Sequence, residues 1–130
     1  MSEIDLQKQI DALRKRLDYL ETNETALFDM AGTELTIATG AITKGTGKIA
    51  WHRVDTQGDA ASDDLDTISG GQAGDILFLS TMDNTRDVVL KDATDNLRLS
   101  GDLTLDSASD MVCLLYKNSL WYEVSFSNIA

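Results

Sequence analysis

The residues able to do chemistry in this sequence are few and scattered. His52 is the sole histidine and Cys113 the sole cysteine. A transition-metal site within one chain needs three or four such ligands, so none is expected. His52 stands beside Trp51 in an alternating stretch, where a hydrogen-bonded structural role is expected. Cys113 lies between Val112 and Leu114, which suggests a small buried hydrophobe rather than a reactive thiol. Asp59, Asp63, Asp64 and Asp66 form the densest acidic cluster. Calcium would need their oxygens to converge from one loop, and the spacing lacks the glycine and glutamate of an EF-hand. A solvated turn is the simpler reading of the 59–66 loop. Gly70, Gly71 and Gly74 are not followed by Lys-Ser/Thr, so they read as turn residues with positive φ, not as a phosphate cradle. No motif sets a base beside a Ser or Thr hydroxyl. Trp51, Trp121 and Tyr122 are the candidates for stacking on a sugar ring. Core or interface packing is the competing role for all three. The expectation is a protein that is not an enzyme, with no catalytic residue, cofactor or metal.

The elements that must carry these residues fall into two compositions. The first thirty residues are rich in Glu, Lys, Arg, Gln and Leu, which is helix chemistry. Ser2 is a plausible amino-terminal cap, and Glu3 and Asp5 follow in the first turn, where the helix dipole favours acids. Glu3, Ile10, Leu17 and Glu24 fall on a, and Leu6, Leu13, Leu20 and Leu27 on d, of one heptad frame. Such a helix has a narrow apolar seam and nothing of its own to bury it on. Leu6, Ile10, Leu13, Leu17, Leu20 and Leu27 are therefore expected to meet the same seam of a second or third copy of the chain, a mostly Leu set that does not itself fix the number. In this frame Arg16 at g and Glu21 at the next e can pair between parallel chains. The helix is expected to reach about Leu20 or Thr22, weakened by Thr22, Asn23 and Thr25. A boundary near Phe28–Gly32 separates residues 1–30, a coiled-coil association helix, from residues 31–130, a β-rich head.

In the head the acids are nearly all Asp, a turn residue, and proline is absent. Alternating runs, such as Lys48–Asp55 and Leu120–Phe126, predict half-buried strands. Asp75–Ser80 and Met111–Tyr116 are apolar on both faces and predict central strands. Lys44–Gly47 and Lys117–Ser119 predict turns. Strands of three to seven residues at close spacing point to a compact antiparallel β sandwich, barrel or prism. Leu97–Leu99 and Leu103–Leu105 echo each other, but too briefly to set a solenoid repeat.

The formal charge is −11. It disfavours nucleic acid and anionic membrane surfaces as partners. The chain has no run apolar enough to insert in a membrane and no secretory signal.

Three stretches of the head, Ile37–Thr43, Val54–Gly71 and Gly74–Leu77, together resemble a module of phage virion proteins. That module is found in tail fibres, spikes and head-fibre or decoration proteins. The Asn96–Leu105 run and Trp121–Ser125 fit the same module. The resemblance spans roughly residues 35–127 and implies a trimeric, β-rich structural protein, made in the host cytoplasm and carried on the virion. The expected function is a capsid-decorating head fibre or knob, a homotrimer attached to other virion proteins, capsid or tail, through its amino-terminal end. The alternative is a tail fibre or receptor-binding tip that recognises a host surface glycan.

Overall fold

The computed structural model describes residues 2–129, without the side chains of residues 22–26. The Glu24 position of the heptad frame therefore lies outside the described side chains. The chain is mainly β with one amino-terminal helix. Helix α1 (Glu3–Leu27) leads without a linker into β1 (Phe28–Thr36). Then follow β2 (Ala41–Thr43), β3 (Ile49–Asp55), β4 (Ser62–Leu65), β5 (Thr67–Ser69) and β6 (Ile76–Thr81). The rest are β7 (Asp87–Leu90), β8 (Leu97–Arg98), β9 (Leu103–Leu105), β10 (Met111–Lys117) and β11 (Leu120–Ser127).

Ser2 caps α1 as expected: its hydroxyl accepts from the Asp5 N–H at 3.2 Å, and its carbonyl accepts from the Leu6 N–H at 3.1 Å. The helix runs on to Leu27, beyond the expected end near Leu20 or Thr22. The β region therefore begins at Phe28, the first residue of the composition boundary at Phe28–Gly32.

The antiparallel expectation is corrected by the strand pairing. Five of the eight pairings are parallel, including β1–β3, β3–β6, β2–β5 and β4–β7. Ile49 lies beside Ile76, Ala41 beside Thr67 and Ser62 beside Asp87, so each coil takes about 26 residues. The head is a short solenoid of three forward coils around three faces; the first coil supplies β1 and β2 but no strand to the face ordered β4-β7-β9. Close strand spacing excludes crossover helices, but three turns per coil also return a chain to its starting face in parallel. After the third coil the direction reverses. β9 then pairs antiparallel with β7, β10 with β6, and β11 folds back on β10. The hairpin turn has Asn118 and Ser119 both at positive φ, the conformation of a two-residue type I′ turn.

The core is built from rungs stacked across coils. Ile42 lies on Ile68; Leu65 on Leu90 and then Leu103; Ala50 on Leu77 and then Leu114; all are buried. Where β8 has no residue to continue a rung, Asn96 supplies one. Its side-chain amide accepts from the Ile68 N–H at 3.0 Å and donates to the Ile68 carbonyl at 2.8 Å. The amide thus reproduces the two bonds of a neighbouring strand.

Candidate functional site

What the fold leaves uncovered is apolar surface, in two connected places. The first is the seam of α1. Leu6, Leu13, Leu17 and Leu20 are each more than half exposed, Leu27 is 45% exposed, and Ile10 is half-buried. A solvated helix of 25 residues with a leucine row has no internal gain to hold that row in water.

The second place is the outer face of the sheet ordered β1-β3-β6-β10-β11-β8. In β3, β6 and β10 the buried residues alternate with residues that point away from the core. Those outward positions are Ile49, Trp51, Arg53 and Asp55; Ile76, Phe78 and Ser80; Met111, Cys113, Leu115 and Lys117. Asp55, the one acid among them, is buried and paired with Arg86 at 2.7 Å. Register aligns Ile49 with Ile76 and Leu115 in one row, and Trp51 with Phe78 and Cys113 in the next. Met30, Trp51, Phe78 and Met111 line a shallow dent of about 210 Å³ on this face. The other two faces of the solenoid are polar outside. Ser62, Asp64 and Thr104 are exposed on one, Thr43 and Ser69 on the other.

The candidates for glycan stacking divide. Trp121 is fully buried, and its indole N–H donates to the Ile68 carbonyl at 3.0 Å. Its ring stacks at 4.9 Å from that of Tyr116, and a Cβ on Gly71 would fall 2.9 Å from it. The Trp121 assignment is therefore corrected: a sugar needs an open ring face, and this one has none. Gly71 is needed for that close approach, whereas Gly70 and Gly74 carry the expected positive φ. Trp51 is half-buried on the outer face, with its indole N–H donating to Ser80 Oγ at 3.1 Å. Tyr122 is half-buried with the Lys117 ammonium 4.6 Å over its ring. Two strands, β6 and β10, separate Trp51 from Tyr122, so the three aromatics do not form one platform.

His52 is buried and fully engaged. Its Nε2 accepts from the Gly45 N–H at 3.1 Å, so Nδ1 carries the proton and donates to the Thr33 carbonyl at 2.9 Å. That tautomer is a neutral ring, and the Asp29 carboxylate 3.8 Å away is a neighbour rather than an ion-pair partner. Cys113 is half-buried on the outer face rather than in the core, and burial raises its thiol pKa. The expected solvated turn at 59–66 is corrected, since Ser62–Leu65 form β4 beside β7, and its acids face different partners. Asp63 accepts from the Gln57 N–H at 2.8 Å, and Asp59 lies 3.9 Å from Arg86. Among the described residues no group of three or more His, Cys, Asp or Glu side chains is placed to hold a metal ion. No helix among them is long and apolar enough to cross a membrane.

Sequence reasoning missed a buried polar cluster at the turns between coils. Lys44 sits inside with its ammonium on the Gly45 and Gly47 carbonyls, at 2.7 and 2.9 Å, and on Asp75 Oδ2 at 3.1 Å. Only a buried acid facing a buried base reveals such a pair, and sequence spacing does not report that. No family model, curated protein or solved structure matches this chain.

Proposed function

We propose that the chain is a homotrimeric structural component of a phage virion, a head fibre or knob that decorates the capsid. The observation that carries the reading is the uncovered leucine seam of α1, joined without a linker to a rigid β solenoid. A parallel bundle of three such helices removes the seam from water and holds three heads side by side. The amino-terminal end of the bundle is the attachment end, on capsid or tail proteins. Two further features fit a displayed structural role. The solenoid holds its coils together through hydrogen-bonded rungs. The charge of −11 keeps neighbouring copies on a particle apart. The virion assignment itself rests on the resemblance of residues 35–127 to phage fibre and spike modules. A tail fibre or receptor tip reading a host surface glycan is the second reading. It is favoured by half-exposed Trp51 alone among the three aromatics first considered, with Tyr122 already covered by Lys117.

Native mass measurement of the full chain tests the assembly: three chain masses are expected, and a single chain mass refutes it. Added to particles, the protein is expected to bind capsids that lack tails. Binding to host cells in the absence of other virion proteins, with none to tailless capsids, selects the receptor tip instead.

A further inference from the structure

We propose that the apolar outer face of the six-stranded sheet packs against the same face of other copies of this chain, so that the heads as well as the helices meet at the axis. This rests on the homo-oligomer reading above and names a surface that the helix seam does not supply.

Charge singles out that face. Two chains of −11 repel each other on approach. The outward positions of β3, β6 and β10 hold one carboxylate, Asp55, which is buried and paired with Arg86 at 2.7 Å, and two cations, Arg53 and Lys117; on β1 the exposed Glu34 lies beside Arg53. The other two faces present Asp64 or rows of Ser and Thr. The sheet face is therefore where copies approach with least repulsion and most apolar area.

Continuity points the same way. Leu27 ends the seam at 45% exposure, Phe28 follows at 52% and Met30 at 48%. Phe28 lies beside Ile49 in the register, and Met30 shares the dent with Trp51, Phe78 and Met111. An unbroken apolar track thus runs from the helix onto the sheet, and the absence of a linker keeps its two halves in register.

Size decides how the face is used. Four neighbouring strands, each about five residues long with alternate side chains facing outward, cover on the order of 300 Å². A stable interface needs roughly 800 Å² per partner, so the face does not associate by itself. Held at high local concentration by the helix bundle, it closes as an intramolecular contact.

Cys113 is a built-in probe, because it is the only cysteine and lies on this face beside Phe78. The experiment measures native mass and the alkylation rate of Cys113 by a small maleimide in the full chain. It compares the native sequence with Leu13→Asp/Leu17→Asp, with Ile76→Gln on the face, and with Thr104→Gln on a polar face. The native protein is expected to show a multi-chain mass and alkylation about tenfold slower than the single-chain Leu13→Asp/Leu17→Asp variant, because the thiol is covered. Ile76→Gln keeps the multi-chain mass but alkylates near the single-chain rate, while Thr104→Gln behaves as native. A multi-chain native protein whose Cys113 reacts as fast as the single chain overturns this inference and leaves the helix bundle standing. A single-chain mass for the native protein overturns both.

Discussion

The Lys44 ammonium and the Asp75 carboxylate form an ion pair of 3.1 Å inside the head, with both side chains almost wholly removed from solvent. The pair ties the turn after the first coil to the turn after the second. Asp75 Oδ2 also accepts from the Gln72 N–H at 2.9 Å, while Oδ1 has no hydrogen-bond partner and only Lys48 within ion-pair distance, at 3.5 Å. Removing one partner of such a pair leaves a charge buried alone, which costs far more than the pair contributes intact. Lys44→Met is therefore expected to destabilise the head by about 3–5 kcal/mol. Adding Asp75→Leu to Lys44→Met should recover part of that loss. Urea denaturation midpoints of the single and double variants check both statements.

Asn96 offers a second test of how the coils are held. Its amide makes both an accepted and a donated bond to Ile68. Asn96→Asp keeps the acceptor but sets a carboxylate oxygen against the Ile68 carbonyl. A loss of about 1–3 kcal/mol is expected from the broken bond and the unmatched carbonyl. Asn96→Leu should cost a similar amount, since it strands both backbone groups. Hydrogen exchange at the Ile68 amide should speed up in Asn96→Leu and stay slow in Asn96→Asp.

Trp121 and Trp51 separate core from surface. Trp121→Ala empties a fully buried site and is expected to cost about 3–5 kcal/mol. Trp51→Ala removes a half-buried ring from the outer face and should cost much less in a single chain. If Trp51 stacks on a host glycan, the variant loses binding in a glycan array while keeping its urea midpoint. Equal losses of stability in the two variants would contradict their different placement.

The parts of this fold that could be read from sequence are those set by local pattern. The cap at Ser2, the leucine seam, the Asn118–Ser119 turn and the central placement of β6 and β10 all follow from spacing and residue type. The direction of pairing does not, because a run such as Ile49–Asp55 alternates alike in parallel and antiparallel sheets. β11 shows a subtler limit. Leu120, Tyr122, Val124 and Phe126 share a parity, with Trp121 opposed, yet a bulge at Val124 shifts the register between Cys113 and Leu114. Phe126 then opposes Val112 and packs on the core that holds Trp121. One extra residue reverses every later side chain, and the sequence carries no mark of it. Lys44 was equally hidden: in a Gly-rich turn a lysine reads as solvated until its buried partner is found. Of the candidate site, the helical half was legible. The sheet half was not, since runs apolar on both faces read as fully buried.

The acid limb of stability turns on Asp106 and Asp110. Burial pushes the Asp110 carboxyl up, but N–H donors from Ile129, Asp106 and Ser107 and the Asp106 side chain outweigh it and hold its pKa below the usual value. The Asp106 carboxyl, hydrogen-bonded to Asp110, is pushed the other way. The two signs differ in consequence. A lowered folded pKa gives stability that is present above the unfolded value near 3.8 and is lost as pH falls through the folded value. A raised folded pKa gives stability that is complete below 3.8 and is lost as pH rises through the folded value. Asp110→Ala should therefore destabilise the head at neutral pH, by about 2 kcal/mol for three stranded N–H groups, with a smaller deficit in acid. Asp106→Asn keeps a donor to Asp110 and removes a like charge. It should raise stability at neutral pH, and the gain should vanish as pH falls toward 3.8, where the native Asp106 is itself protonated. Urea midpoints of the three proteins across this range decide it: a gain for Asp106→Asn that grows toward acid would mean the proton sits on Asp110 instead.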